Sequence, residues 1–280
     1  IDFASLRLYG RDDEIQLLDE ILRRTESGSL EGVQLVEIKG YSGCGKSALA
    51  ETLKPKVLKL GGFYVAGKYD QARHLSQSYA VRQALTDIFS ELVQHEAICP
   101  QVKMALQEQL SKDDVAILST ILTRLPEFLE VEDSQVAVSN NTPSCRPEWI
   151  FERIKITVRK FLECVCDPSR PIVMVIEDIQ WSDPAGLKLL QAIACIKDVN
   201  GFILVCPYRE NEVLAQDNHP VALMLAEAKN TIDPGSSHTM VVGNLKISHI
   251  VSMLVDLSCR REEDLLSLAG ILHARTHGNP

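Results

Sequence analysis

The sequence predicts an α/β fold, a parallel sheet with helices on both faces. Three observations carry that expectation. Short apolar runs alternate with helical patterns along most of the chain, two of the runs are unbroken, and one glycine-rich loop lies between a strand pattern and a helix pattern. Unbroken runs such as 172–176 and 202–206 suit strands covered on both faces, because a half-exposed strand alternates apolar and polar residues.

Over 12–24, Ile15, Leu17, Leu18, Ile21 and Leu22 recur at helical spacing behind Asp12 and Asp13, the candidate caps of an amphipathic helix. A Ser-Gly turn at 27–29 leads to a strand over 33–38, the Gly40 loop, and a helix from Ala48 that Pro55 kinks or ends. A second strand over 62–68 precedes helical patterns at 79–93, 102–110 and 115–125. Residues 132–147, rich in Ser, Asn, Pro and acid, read as a long mobile loop. A helix over 147–165 feeds the strand at 172–176, a helix over 185–196 separates it from the strand at 202–206, and from Lys246 onward the pattern is helical only. The expected organisation is an αβ core over 1–245 followed by the start of a small helical subdomain over 246–280.

With 280 residues, 45% of them apolar, the chain can bury a full core. Its net charge of −9 argues against direct nucleic-acid binding, which calls for a basic excess to neutralise phosphates. The eight cysteines, Cys44, Cys99, Cys145, Cys164, Cys166, Cys195, Cys206 and Cys259, form no C-x-x-C pair and lie in apolar stretches. They read as reduced, mostly buried thiols of a cytoplasmic protein. No apolar run approaches membrane-spanning length, so a soluble protein without membrane contact is expected. The absence of a starting methionine and of a secretory pattern suggests a segment cut from a longer intracellular polypeptide.

Gly40-Tyr41-Ser42-Gly43-Cys44-Gly45-Lys46-Ser47 fits G-x-x-x-x-G-K-[ST] in full, with Ala48 continuing into the helix. Glycines let such a loop curl so that backbone N–H groups face phosphate oxygens; Lys46 supplies a cation to the outer phosphates, and the Ser47 hydroxyl is a candidate magnesium ligand. Chemistry of this kind implies ATP or ADP with Mg2+. The strand at 172–176 ends in Glu177-Asp178, two carboxylates at the carboxyl edge where open αβ sheets bind ligands. One acid suits the magnesium shell and the other suits orienting or activating water; the bland alternative is a pair of solvated acids capping the next helix. Asp183 reads as that helix's cap rather than as a catalytic group. Arg209, after the strand at 202–206, is placed to sense an outermost phosphate, or else pairs with Glu210 or Glu212. His273 and His277 lack a third ligand and the glutamate of a zinc motif, and Cys164 and Cys166 read as core or helix-end thiols.

These motifs together resemble the AAA-type P-loop NTPase domain of large signalling proteins, in the group of STAND switches and origin-recognition-like ATPases. The marks run through nearly the whole chain: Tyr9-Gly10-Arg11, the phosphate loop, Gly67-Lys68-Tyr69-Asp70-Gln71, Glu177 to Asp183, Tyr208-Arg209, and Gly278-Asn279-Pro280. The resemblance implies adenine contacts from Arg11 and Pro280, a helical lid beginning at 246, further domains of the same polypeptide as partners, and a homo-oligomer formed through the ATPase domain. Two positions depart from the pattern. Glu177 stands where an aspartate is usual, one methylene longer, which implies slow hydrolysis, and Pro207 stands where a threonine is common. A DNA-acting origin-type ATPase and a small-molecule kinase are the alternatives.

Overall fold

The computed structural model describes residues 7–71, 78–131 and 147–280. Helix α1 spans Asp12–Glu26 and strand β1 spans Gln34–Gly40. The helix behind the glycine loop comes in two pieces, α2 (Lys46–Glu51) and α3 (Leu53–Lys59). Pro55 explains the break: it lacks the N–H that would bond the Glu51 carbonyl, and its ring crowds that carbonyl. Next come β2 (Phe63–Lys68), α4 (Tyr79–Gln94), α5 (Cys99–Gln109), α6 (Lys112–Ser119), α7 (Leu125–Leu129) and α8 (Pro147–Val165). The chain continues with β3 (Ile172–Glu177), α9 (Pro184–Ala194), β4 (Phe202–Arg209), α10 (Glu210–Leu214), α11 (Pro220–Thr231), β5 (Ser237–Val241), α12 (Ile247–Ser258) and α13 (Glu262–Thr276).

Five strands form one parallel sheet in the order β2-β3-β4-β1-β5. Strand geometry turns alternate side chains to opposite faces, and the core divides accordingly. Val36, Ile38, Val173, Val175, Ile203 and Val205 pack with Leu18, Ile21 and Leu22 of α1, Leu49 of α2, and Leu53 and Val57 of α3. Leu35, Ile172, Met174, Ile176, Phe202 and Leu204 face the other way, toward a thicker layer that includes Leu85 and Ile88 of α4, Phe161 of α8 and Ile193 of α9. The uninterrupted apolar runs expected of a doubly covered sheet thus supply two cores from one strand.

Several local expectations change. Strand β5 was not legible as a strand: it is a polar edge segment, Ser-His-Thr-Met-Val, in which Met240 alone is buried. Asp12 and Asp13 do not cap α1. Arg11 holds the cap position without a side-chain cap bond, and both aspartates lie in the first turn, where carboxylates favour the positive end of the helix dipole. The helix expected over 115–125 starts earlier, behind a Ser111–Asp114 capping box, and ends at Ser119, after which Thr120 bonds its own hydroxyl back to the Ile117 carbonyl at 2.8 Å. The long loop expected at 132–147 lies outside the described residues except for Pro147, which opens α8. Among the described residues seven cysteines are free, but fewer are buried than expected: Cys44 and Cys206 are, whereas Cys99, Cys164, Cys166 and Cys195 are part-exposed and Cys259 is exposed. No described helix is long and apolar enough to cross a membrane.

Asp114 on α6 ties the helical layer together. Its side chain is 1% exposed, with Lys160 Nζ at 2.6 Å and Arg153 Nη2 at 3.1 Å, both cations reaching it from α8. Burial pushes its pKa up, but hydrogen bonds from Lys160 and Ser111 outweigh burial and hold it below the usual carboxylate value. A depressed folded-state pKa means that the stabilisation is complete above the unfolded-state value of about 4 and disappears as pH falls through the lower folded-state value. Asp114→Asn should therefore cost about 2 kcal/mol in urea unfolding at pH 7. The gap from wild type should narrow below pH 4; a gap independent of pH would contradict the charge-based account.

Candidate functional site

The glycine loop leaves β1 at the carboxyl edge of the sheet and enters α2. Gly43 and Gly45 take φ of +80° and +95°, in the left-handed region that costs other residues energy. Gly40 is constrained by space instead: a Cβ there would lie 2.4 Å from the Val242 carbonyl oxygen and 2.9 Å from Cys44 Sγ. Lys46 is buried and turned back under the loop, its ammonium donating to the carbonyls of Tyr41 at 2.6 Å and Gly40 at 3.1 Å. Burial lowers its pKa, partly offset by Cys44 and by the negative charge of Asp178. Ser47 and Ala48 follow on the first turn of α2.

Arg11 is buried against the loop's other flank. Its guanidinium donates to the carbonyl of Cys44 at 3.0 Å and to that of Gly243, just past β5. Arg11 therefore lies beside the phosphate loop, with backbone carbonyls as its partners. Residues 278–280 approach the loop as well: Asn279 Nδ2 donates to the Ser42 carbonyl at 3.0 Å, and Pro280 follows directly in the chain.

Glu177 closes β3, and Asp178 follows with φ 54° and ψ 42°, a left-handed conformation that is strained for a non-glycine residue. Asp178 N–H donates to the Pro207 carbonyl at 3.1 Å, which holds the turn in place. The pairing of β3 with β4 stops at Val175 and Val205, short of Pro207, which has no N–H with which to extend it. The charge of Asp178 reaches Lys46, and that of Glu177 reaches, together with Glu51, Tyr64 of β2, whose pKa is raised chiefly by burial.

One lysine lies between the two acids, and Asp178 also meets an arginine. Lys68, the last residue of β2 and the register partner of Glu177, places Nζ 3.5 Å from Glu177 and 3.4 Å from Asp178. The Gly-Lys-Tyr-Asp-Gln mark thus contributes a site residue whose role the sequence did not reveal; the signal available was its position at a strand's carboxyl end. Arg209 takes the pairing alternative: Nη1 lies 2.9 Å from Glu212, and Nε lies 3.5 Å from Asp178. Its guanidinium also stacks 4.5 Å from the Trp181 ring, whose Nε1 donates to Glu212 at 2.9 Å. Gln180 joins the cluster, donating to Asp178 and accepting from Arg209 N. Asp183 caps α9 through bonds from Ala185 and Gly186 and also accepts from Ser78 N at 2.8 Å. Among the described residues no group of three or more His, Cys, Asp or Glu side chains could hold a metal, His273 and His277 included.

A glycine loop curled at the carboxyl edge of a parallel sheet, with a buried lysine inside it and two acids on a strand nearby, defines a P-loop nucleotide-binding fold. The AAA ATPase domain family matches residues 7–205, and the chain belongs to that family. The hybrid signal transduction histidine kinase G of Dictyostelium discoideum is 22% identical over 192 residues, which are 68% of this chain and only 5% of that protein. Among solved structures, Cdc6p from Pyrobaculum aerophilum shares the fold with TM-score 0.50 at 11% identity, covering 96% of this chain and 56% of that one. A STAND protein with a tetratricopeptide repeat sensor from Pyrococcus horikoshii aligns with TM-score 0.38 at 14% identity, over 94% of this chain and 28% of that one.

The steric limit at Gly40 yields a direct test. Gly40→Ala sets a methyl group against the Val242 backbone, which has no rotamer with which to yield, and should destabilise the fold by about 1–3 kcal/mol in chemical unfolding. A variant as stable as wild type would mean that the loop seats differently on the end of β5.

Proposed function

We propose that this chain is an ATP-binding, slowly ATP-hydrolysing switch module of a larger signalling protein, with ADP and ATP favouring different positions of α12 and α13 against the αβ core. The observation that carries the reading is the opposition, at one sheet edge, of the Lys46 loop to Glu177 and Asp178. Membership of the AAA ATPase domain family supports nucleotide binding, and the histidine kinase relative supports a signalling context.

In this reading the N–H groups of 43–48 take phosphate oxygens, and Lys46 exchanges its two loop carbonyls for the outer phosphates. Magnesium fits the donor set present: the Ser47 hydroxyl and the carboxylates of Glu177 and Asp178 are hard oxygen ligands, and such a site completes its shell with water and phosphate oxygens rather than a full protein cage. When bound, the ion would supply positive charge against the phosphates. Glu177 and Asp178 then release Lys68 and hold or orient water, while Arg209, drawn between Asp178 and Glu212, turns toward an outer phosphate. Arg11 and Pro280 flank the adenine. Lys68 already pairs with both acids, so turnover is slow until that pairing is broken. Further domains of the polypeptide read the state of the helices, and self-association through this domain is a second route of output.

Lys46→Ala should abolish Mg-ATP and Mg-ADP binding by calorimetry; unchanged titrations would sink the reading. Replacing both Glu177 and Asp178 by alanine should leave ADP binding within a few-fold of wild type and remove measurable phosphate release. Turnover at the wild-type rate in that double variant would place the water-activating group elsewhere.

A further inference from the structure

Asn279 sends its side chain 237 residues back along the sequence to the phosphate loop, donating from Nδ2 to the Ser42 carbonyl at 3.0 Å, instead of folding onto its own helix end. Its amide covers Gly43 so closely that a Cβ there would stand 2.8 Å from Asn279 Oδ1. Peptide bonds in the described chain are all trans, and in a trans peptide the C=O and the following N–H point in opposite directions. A Ser42 carbonyl held on the Asn279 side therefore commits the Gly43 N–H to the opposite side. A donor on that carbonyl also polarises the same peptide's N–H, which strengthens it as a donor to an anion.

Asn279 is itself fixed. Its N–H donates to the Thr276 carbonyl at 3.0 Å, and the carbonyl of Gly278 accepts from Leu245 N at 2.7 Å. Gly278 has φ +77°, and a Cβ at that position would sit 2.2 Å from the Leu245 carbonyl oxygen, so the approach requires glycine. Leu245 adjoins Lys246, the cap residue of α12, so Asn279 is anchored to both α12 and α13. On the loop's other flank, Arg11 bonds the Cys44 carbonyl, while Tyr9, two residues away, donates to Asp256 of α12 at 2.7 Å.

We propose that Asn279 is a positioning residue for phosphate binding, which sets the Ser42–Gly43 peptide so that the Gly43 N–H meets a phosphate oxygen and couples that peptide to the placement of α12 and α13. The proposal rests on the nucleotide-binding reading and adds to it a residue that acts through the loop without touching the nucleotide. Displacing the two helices withdraws the Asn279 donor and frees the peptide to rotate, which weakens the loop's hold on phosphate from a distance.

The test compares wild type, Asn279→Ala and Asn279→Asp by titration with Mg-ADP, together with hydrogen exchange of the segment containing 42–45 in the absence of nucleotide. Asn279→Ala should weaken ADP about two- to tenfold, the span of one neutral hydrogen bond, and should speed exchange in the loop while leaving the thermal midpoint of the nucleotide-free protein unchanged. Asn279→Asp, which removes the donor and adds negative charge beside the phosphates, should weaken ADP more than alanine does. Equal ADP affinity in all three proteins overturns the proposal. So does weaker affinity with unchanged loop exchange, which would place the effect in the helices alone. A wild type that binds no ADP refutes the nucleotide reading instead, and that outcome is separate because it does not depend on residue 279.

Discussion

The constraint on which the rest depends is that this sheet is parallel and covered on both faces. Its inner strands β3 and β4 then have no polar face, and their polar chemistry is pushed to the ends. With five strands running the same way, every carboxyl end reaches a single edge. Lys68, Glu177, Arg209 and the Gly40 loop arrive there from four different strands, although as many as 169 positions separate Gly40 from Arg209, which β1–β4 pairing sets side by side. The apolar runs that build the two cores and the charges that build the site are therefore one design, since the cores fix the register on which the charges meet.

Strong signals in the sequence came from features that a local physical requirement forces. The glycine loop was legible because positive φ and close approach leave few alternatives at Gly43, Gly45 and Gly40. Strands β3 and β4 were legible because burial on both faces demands continuous apolar residues, and Asp183 because a cap needs a short acceptor before a helix. What escaped was set by tertiary contact. Strand β5 is held at the sheet edge by its ladder to β1 rather than by its own residues. Arg11 took the cap position from Asp12 and Asp13 because its guanidinium is engaged with the carbonyls of Cys44 and Gly243, which no spacing rule reveals. Lys68 stood in a recognised motif, but its meeting with Glu177 and Asp178 depends on β2 lying next to β3.

Charge at the site is balanced internally. Lys46 rests on loop carbonyls, Lys68 lies between Glu177 and Asp178, and Arg209 is shared by Asp178, Glu212 and the Trp181 face. Half-buried charges without partners would cost several kcal/mol each. Each of these pairings substitutes one protein contact for a contact that a polyphosphate and a divalent ion would make. In the proposed reading, such a site would exchange partners on binding rather than gain them from water. The left-handed backbone at Asp178 belongs to the same arrangement, because the Pro207 carbonyl holds its N–H and Gln180 holds its carboxylate, which meets Lys68 and Arg209 at once.

Contact between the glycine loop and the C-terminal helices is made by a few hydrogen bonds. Two chains of contact leave the loop. One runs from the Cys44 carbonyl through Arg11 and Tyr9 to Asp256, and the other from the Ser42 carbonyl through Asn279 and Gly278 to Leu245. Both end on or beside α12, and both grip carbonyls of the loop rather than side chains. A peptide gripped by its carbonyl transmits rotation to the N–H on its other edge, and N–H groups are what a phosphate loop presents to its ligand. The two helices have only a small apolar cluster of their own, Leu245, Ile250, Val251 and Ala269. Their placement is therefore weakly determined by packing, and a few directional bonds to the loop carry weight out of proportion to their number. In the proposed switch, that imbalance, a large core against a lightly held helical pair, is what would let a ligand's modest preference for one arrangement produce a change of state.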